Sequence, residues 1–414
     1  MTAIVPHLFK GIAVVIDNGI GREDAIDQIL ANIKAGGGHA IGLTERPAED
    51  YDLEHFFRVS FFIMDWNLAN DEDGPLPVGV KLPGGLNDAM VADNIAFLKR
   101  LSKNRHAPVF IFTNEEPSEV RELLSADADL HKSVQESHIL VRRKVDVTDR
   151  LYEVLEEWAR ETPSVLTLKT WEKNYLRAAN DLFIDLQNRT PYWPVLLWQT
   201  FGEDGVPPAV EMNRLLNRLV EARSELLDLD LTPFVEQVEA QRKQNEADYR
   251  ASMHKVLEGE RFLRNERLQD GLFAPGDVFA FPVDGGQQSY YINVRAECDC
   301  LRGKDDLQLY LLQVKRVEDV ASKIDRTFGT IISEKDNEAI IFAMMDGETY
   351  SIRFKDMKIK TLKVMSKENA VRVGRLLPPF ITRVQQRYAA YVQRPGMPRI
   401  PSALYATEGD VAAA

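Results

Sequence analysis

The chain has 414 residues, of which 44% are hydrophobic and 28% charged. That length suits two or three domains, and the composition excludes wholesale disorder, a collagen-like repeat and a disulfide scaffold. The net charge of -13 argues against a nucleic-acid-binding face spread over the whole surface, but the charge is unevenly placed. Residues 351–400 hold 12 Lys and Arg against Asp356 and Glu368, a balance of +10, while residues 1–350 sum to -21.

From Met1 the sequence runs into a short apolar stretch ending at Asp17, without the basic segment, long apolar run and small-residue cleavage site of a secretory leader. No run approaches the roughly 18 apolar residues of a membrane helix. Cys298 and Cys300 are the only cysteines. Their C-x-C spacing makes a strained disulfide, and two thiolates do not complete a zinc site. They are expected as strand thiols of a reducing compartment, and a cytoplasmic protein is expected.

The first 160 residues alternate between two textures. Gly11–Asp17 is a continuous apolar run ending in an acid, as in a strand buried on both faces. Residues 22–34 place Ile26, Ile29, Leu30 and Ile33 at helical spacing, and Gly36-Gly37-Gly38 stops that helix. His39–Leu43 reads as a second strand, Phe61–Asp65 as a third, residues 87–102 as a helix and Pro108–Thr113 as a fourth strand. A short helix at 117–125 and a fifth strand at Ser137–Val141 follow, with Arg142, Arg143 and Lys144 directly after it. Residues 148–160 read as helix.

Strands alternating with helices predict an α/β doubly wound parallel sheet, whose ligands gather at the carboxyl ends of the strands. There stand Asp17, Asp65, Thr113 and Lys144. Two carboxylates can share a hard divalent cation, and a hydroxyl with an ammonium can hold phosphoryl oxygens. These positions and their strand order resemble the response-regulator receiver domain over roughly residues 10–160. The resemblance implies a receiver/flavodoxin-like fold, Asp65 as phosphoacceptor, Asp17 and Asp65 as Mg²⁺ ligands, Thr113 as switch hydroxyl and Lys144 as the strand-five lysine. The sequence departs from that pattern in three places. Receivers carry two adjacent acids after strand one, where this chain has Asp17-Asn18-Gly19. Val145 stands where a proline follows the receiver lysine. A Gly/Pro/Asp-rich insertion, residues 69–86, follows Asp65. A receiver-like module that binds proteins without being phosphorylated fits the same residues.

Residues 161–268 form the next expected domain, helical and ending in a connector. Trp171, Tyr175, Ala178, Ala179, Leu182, Phe183 and Leu186 run at helical spacing, the usual sign of a core. Pro191-Tyr192-Trp193-Pro194 marks a turn, Val195–Trp198 restarts an apolar segment, and 209–227 reads as a further helix. Residues 235–268 are polar and charged, as in a solvated helix.

Residues 269–400 change to short strands: 278–281, 290–294, 307–314, 339–345 and 349–354. The turns Asp284-Gly285-Gly286 and Asp346-Gly347-Glu348 suit hairpins, and the spacing predicts a small antiparallel barrel or curled sheet. A closing helix over 379–393 shows Ile381, Val384, Tyr388 and Tyr391 on one face. Residues 401–414 are expected to be a loose tail. Lys355, Lys358, Lys360 and Lys363 alternate along one strand-loop edge, and Arg372, Arg375, Arg383 and Arg387 are expected to extend the basic patch on the helix. That patch suits an acidic partner protein, a nucleic acid, or the protein's own acidic body.

Phe62-Ile63-Met64-Asp65-Trp66, the Trp171–Phe183 helix and Tyr291–Asp299 occur in this order. Together they are similar to the large response receiver domain proteins of bacterial conflict and anti-phage loci. That resemblance implies a non-enzymatic signalling or adaptor protein encoded beside an ATPase of the histidine-kinase/Hsp90-like class. The rival from the enzyme class is a metal-dependent nuclease, in which Asp306, Gln313 and Lys315 would form an acid-then-Gln-x-Lys pattern. Walker-type, His-Glu-x-x-His and Gly-x-Ser-x-Gly motifs are absent from the sequence.

Overall fold

The computed structural model describes residues 8–68, 84–130, 138–283, 285–303, 307–332, 334–396, 398, 400–401 and 404. The insertion at 69–86 lies outside them up to residue 83. So do Ser137, Asp284, Asp306 and all of the tail 401–414 except Pro401 and Leu404. The chain divides into two compact units, residues 1–189 with 217–235, and residues 190–216 with 236–414. The helical stretch 161–268 is therefore shared between them.

The first unit holds five parallel strands in the order β2-β1-β3-β4-β5: β1 Ile12–Ile16, β2 His39–Leu43, β3 Val59–Asp65, β4 Val109–Thr113 and β5 Ile139–Arg143. Every residue of β3 and β4 is buried, which explains their unbroken apolar runs. Alternate residues face opposite layers. Ala13, Val15, Phe61, Ile63 and Phe110 meet helices α1 (Asp24–Ala35) and α5 (Leu151–Glu161) through Ile26, Ile29, Ile33, Leu155 and Trp158. Val14, Ile16, Phe62 and Met64 meet α2 (Gly84–Asn104) and α3 (Pro117–Ala126) through Leu98, Leu101, Val120 and Leu124. Helices on both faces make the sheet doubly wound. A one-turn helix, α4 (Lys144–Val147), opens directly at the end of β5. From β2 to β3 the chain runs through a loop with one 3₁₀ turn, Leu53–His55.

Helix α6 (Pro163–Gln187) belongs to this unit. It buries Ala178, Ala179 and Leu182, but Trp171 and Phe183 stay half exposed. The aromatic stripe is thus only in part a core.

The second unit carries α7 (Trp193–Glu203), α9 (Val235–Gln244) from its second residue on, and α10 (Glu246–Arg261), none of which has a fully buried residue. Helix α8 (Pro208–Glu221) crosses the division between the units. Seven antiparallel strands then form a near-barrel sheet in the order β10-β11-β9-β8-β7-β12-β6. They are β6 Phe262–Arg264, β7 Asp277–Pro282, β8 Gln288–Asn293, β9 Gln308–Arg316, β10 Glu338–Met345, β11 Glu348–Thr361 and β12 Val371–Leu376. Strand β11 is longer than its apolar core, 349–354, suggests. It shifts register against β9 between Arg353 and Lys358 and carries Lys355, Lys358 and Lys360 on its extension. Cys298 and Cys300 lie on a short helix, α11 (Glu297–Arg302), rather than on a strand. Helix α11 and α12 (Leu362–Lys367) cover one sheet face through Cys300 and Met365. Helix α13 (Phe380–Gln393) covers the other through Ile381, Val384, Tyr388 and Tyr391, the face read from the sequence. Among the described residues no helix is long and apolar enough to cross a membrane.

Candidate functional site at the carboxyl edge of the parallel sheet

Asp17 follows β1, Asp65 ends β3, Thr113 ends β4 and Lys144 follows β5, so the parallel sheet delivers all four to one edge. All four are buried, Asp65 to 4% exposure and Lys144 to 1%. The Lys144 ammonium is the centre of the cluster. It donates to Asp65 Oδ2 at 3.0 Å and to Glu23 Oε2 at 2.9 Å, and it stands 3.0 Å from Asp17 Oδ2.

Glu23 is the member that sequence reasoning missed. A tight turn brings it back to the strand edge. Asp17 Oδ1 accepts from the Gly19 N–H at 2.8 Å, and Glu23 N donates to the Gly19 carbonyl at 2.7 Å. A Cβ on Gly19 would lie 2.7 Å from Glu23 Oε2 and 3.0 Å from Asp17 Oδ1, so a larger residue there would push the Glu23 carboxylate from its place beside Asp17. Asp24, one residue on, is exposed.

Other groups hold the edge in place. Asp65 Oδ1 accepts from Asn67 N at 3.3 Å. Asn94 of α2, fully buried, donates to the Trp66 carbonyl at 2.7 Å. The Thr113 hydroxyl accepts from Glu115 N at 3.0 Å. Thr113 pairs with Arg143, one step beyond the Asp65–Phe112 level.

Three carboxylates on one ammonium leave an excess of negative charge in a dry place, and the titration follows from that. Burial pushes the Asp65 carboxyl up to about 6. The neighbouring Asp17 charge adds to the rise, and Lys144 opposes it. Burial likewise raises Asp17 against the pull of Lys144. For Lys144 burial works the other way, but Asp65, Asp17 and Glu23 outweigh it and hold the ammonium above the ordinary lysine range.

The donor set fits a hard divalent cation in kind, being carboxylate oxygens. Asp17 Oδ2 is buried, with the Lys144 ammonium 3.0 Å away as its counter-charge. The point the three carboxylates share is filled by Lys144 Nζ. Among the described residues no three His, Cys, Asp or Glu side chains are arranged to hold a metal ion.

In the second unit half of the twelve cations of the basic segment are matched by that unit's own acids. Glu334 pairs with Arg383 at 2.6 Å and Arg387 at 2.8 Å. Glu338, itself buried, pairs with Arg353 at 2.8 Å. Arg372 and Arg375 lie on β12 rather than on the closing helix; buried Asp277 pairs with Arg375 at 2.6 Å and lies 3.8 Å from Arg372. Lys360 pairs with Glu368. Lys358 donates to the Tyr291 hydroxyl at 2.7 Å and lies over its ring. Lys355 and Lys363 are exposed, and with Lys358 they have no acid partner among the described residues. Gln313 is half-buried and Lys315 exposed on β9, while their candidate acid Asp306 lies outside the described residues. No family model, curated protein or solved structure matches the chain.

Proposed function

We propose that this chain is a signalling adaptor whose first unit is a receiver-type switch and whose β-rich unit carries the output. One observation bears most of the weight. A buried lysine at the end of the fifth strand lies 3.0 Å from the carboxylate ending the third, in a parallel sheet of order 2-1-3-4-5. Asp65 is the acceptor in this reading. Its carboxylate oxygen attacks the phosphorus of a small or protein-borne phosphodonor, the bond to the leaving group breaks, and an acyl phosphate remains on Asp65. Lys144 neutralises charge on the acceptor, and Thr113 offers its hydroxyl from the next strand. A divalent cation would be held by Asp17 and Asp65 with Glu23 beside them, and would supply further charge neutralisation. Burial raises Asp65 to about 6, so the nucleophile is ionised at neutral pH. The resemblance to response receiver domain proteins supports a place in anti-phage defence beside a histidine-kinase/Hsp90-like ATPase.

Intact mass after incubation with acetyl phosphate and Mg²⁺ tests the switch. One added phosphoryl group on the native chain and none on Asp65→Asn is the expected result. No added mass, with Asp65→Asn keeping biological activity, leaves the module as a docking domain without phosphotransfer.

A further inference from the structure

The parallel sheet has two edges, and they are built differently. The β5 edge ends in Arg142 and Arg143, charges of the kind that discourage strand pairing. The β2 edge, His39-Ala40-Ile41-Gly42-Leu43, has no Lys, Arg, Asp, Glu or Pro. It pairs with β1 in an unbroken register from Ile12↔His39 to Ile16↔Leu43. Four of its five residues are exposed, Ile41 to 46%.

The backbone directions follow from the ladder. His39 N donates to the Gly11 carbonyl at 2.8 Å, and the Leu43 carbonyl accepts from Asp17 N at 2.9 Å. In a parallel pair each residue turns both its polar groups to the same side, and neighbours alternate. Residues 39, 41 and 43 therefore face β1. Ala40 and Gly42 turn their N–H and C=O groups outward, and no backbone bond to them from outside the sheet occurs among the described residues.

We propose that β2 is where two copies of this chain join, their β2 strands pairing antiparallel about a two-fold axis at Ile41 so that the sheet runs on from one copy into the other. The register is self-complementary. About the axis Ile41 pairs with Ile41 of the second copy, Ala40 with Gly42 of the second copy, and His39 with Leu43 of the second copy.

 The two outward-facing residues thus meet each other's partners and exchange four N–H···O=C bonds, and Ile41 meets Ile41 at the close, non-hydrogen-bonded position. No charged side chain lies opposite another. On the face shared by Ile41 and Leu43, a cavity of about 340 Å³ adjoins the join; Tyr51 and Phe56 give it apolar wall to cover, and Glu45 and Arg46 line its rim. An isologous pairing of this kind closes on itself and does not propagate into fibres.

Sedimentation of the full chain under reducing conditions, over a concentration series, tests this. The expected species is a dimer of the 47.0 kDa chain. Ala40→Pro removes one outward N–H without touching the ladder to β1, a change that edge strands tolerate. It should raise the dimer dissociation constant by about tenfold or more with the thermal melt retained. Should Ala40→Pro lose its melt, Ile41→Lys, which sets like charges face to face at the axis, is judged by the same shift. Amide exchange at Ala40 and Gly42 should slow as concentration rises. A native chain that stays monomeric throughout, or a dimer equally strong in the folded variants, overturns the proposal.

Discussion

The Lys144 ammonium donates to Glu23 at 2.9 Å across 121 residues of sequence, and that bond turns a pair of carboxylates around a lysine into a group of three. The cation is buried to 1% exposure and cannot be replaced by solvent. It holds together the end of β3, the turn after β1 and the start of α1.

Lys144→Met should therefore be among the most damaging substitutions in the first unit. It leaves Asp17, Glu23 and Asp65 facing one another without a cation, and breaking a buried ion pair from one side costs about 3–5 kcal/mol. Denaturant midpoints at pH 7.5 should fall accordingly. Part of the loss should return near pH 5, where Asp65 takes up a proton. Equal losses at both pH values would show that lost packing, rather than charge, sets the cost.

Asp65→Asn should have the opposite sign. The folded-state value of about 6 lies above the ordinary 3.8. Between those values the folded protein keeps a proton that the unfolded chain has released, so stability falls as pH rises through that window. At pH 8 the ionised, buried Asp65 works against folding by something on the order of 3 kcal/mol. The amide cannot ionise. The variant should melt higher than the native chain at pH 8, and the gap should shrink towards pH 4. A gap independent of pH would refute the assignment.

In the β-rich unit, Gly276→Ala should be costly where Gly285→Ala is mild. Both glycines have positive φ, +91° and +84°, which by itself costs an alanine about 1–2 kcal/mol. At Gly276 the new Cβ would also lie 2.2 Å from the Leu376 carbonyl oxygen, whereas at Gly285 nothing stands within 4 Å. The Gly276 carbonyl accepts from Leu376 N at 2.8 Å, so relief of the clash must open the link between β7 and β12. Thermal melts of the two variants, compared side by side, check the ranking.

The parallel sheet was legible because its strands are buried on both faces and end in residues of distinct chemistry. Asp17, Asp65, Thr113 and Lys144 could be placed by counting to the ends of apolar runs. Glu23 could not, because its position depends on a turn through Gly19 and Gly21 rather than on a strand end. The two glycines between Asp17 and the helix were the available signal. Strands β6 and β12 escaped notice for a related reason. Phe262-Leu263-Arg264 is three residues long, and Val371–Leu376 is interrupted by Arg372 and Arg375, whose charge is absorbed by Asp277. The short helix bearing Cys298 and Cys300 has too few residues to show a period.

The basic segment yields the last prediction. Of its twelve cations, Arg353, Lys360, Arg372, Arg375, Arg383 and Arg387 are paired with acids of the same unit. Arg399 lies outside the described residues. Lys355, Lys358, Lys363, Lys367 and Arg394 remain without an acid partner among the described residues. Each phosphate contact contributes about -0.9 to the slope of log affinity against log salt for duplex DNA. Binding through those five cations should give a slope no steeper than about -4.5. Reversing Lys355 and Lys363 to Glu should flatten it with the thermal melt unchanged. Reversing Arg383 and Arg387 should instead lower the melt, because Glu334, buried to 7% side-chain exposure, would face two carboxylates in place of two guanidinium groups. A variant with both arginines reversed that melts like the native chain and has lost its affinity for DNA would show that these two side chains leave Glu334 to reach phosphate.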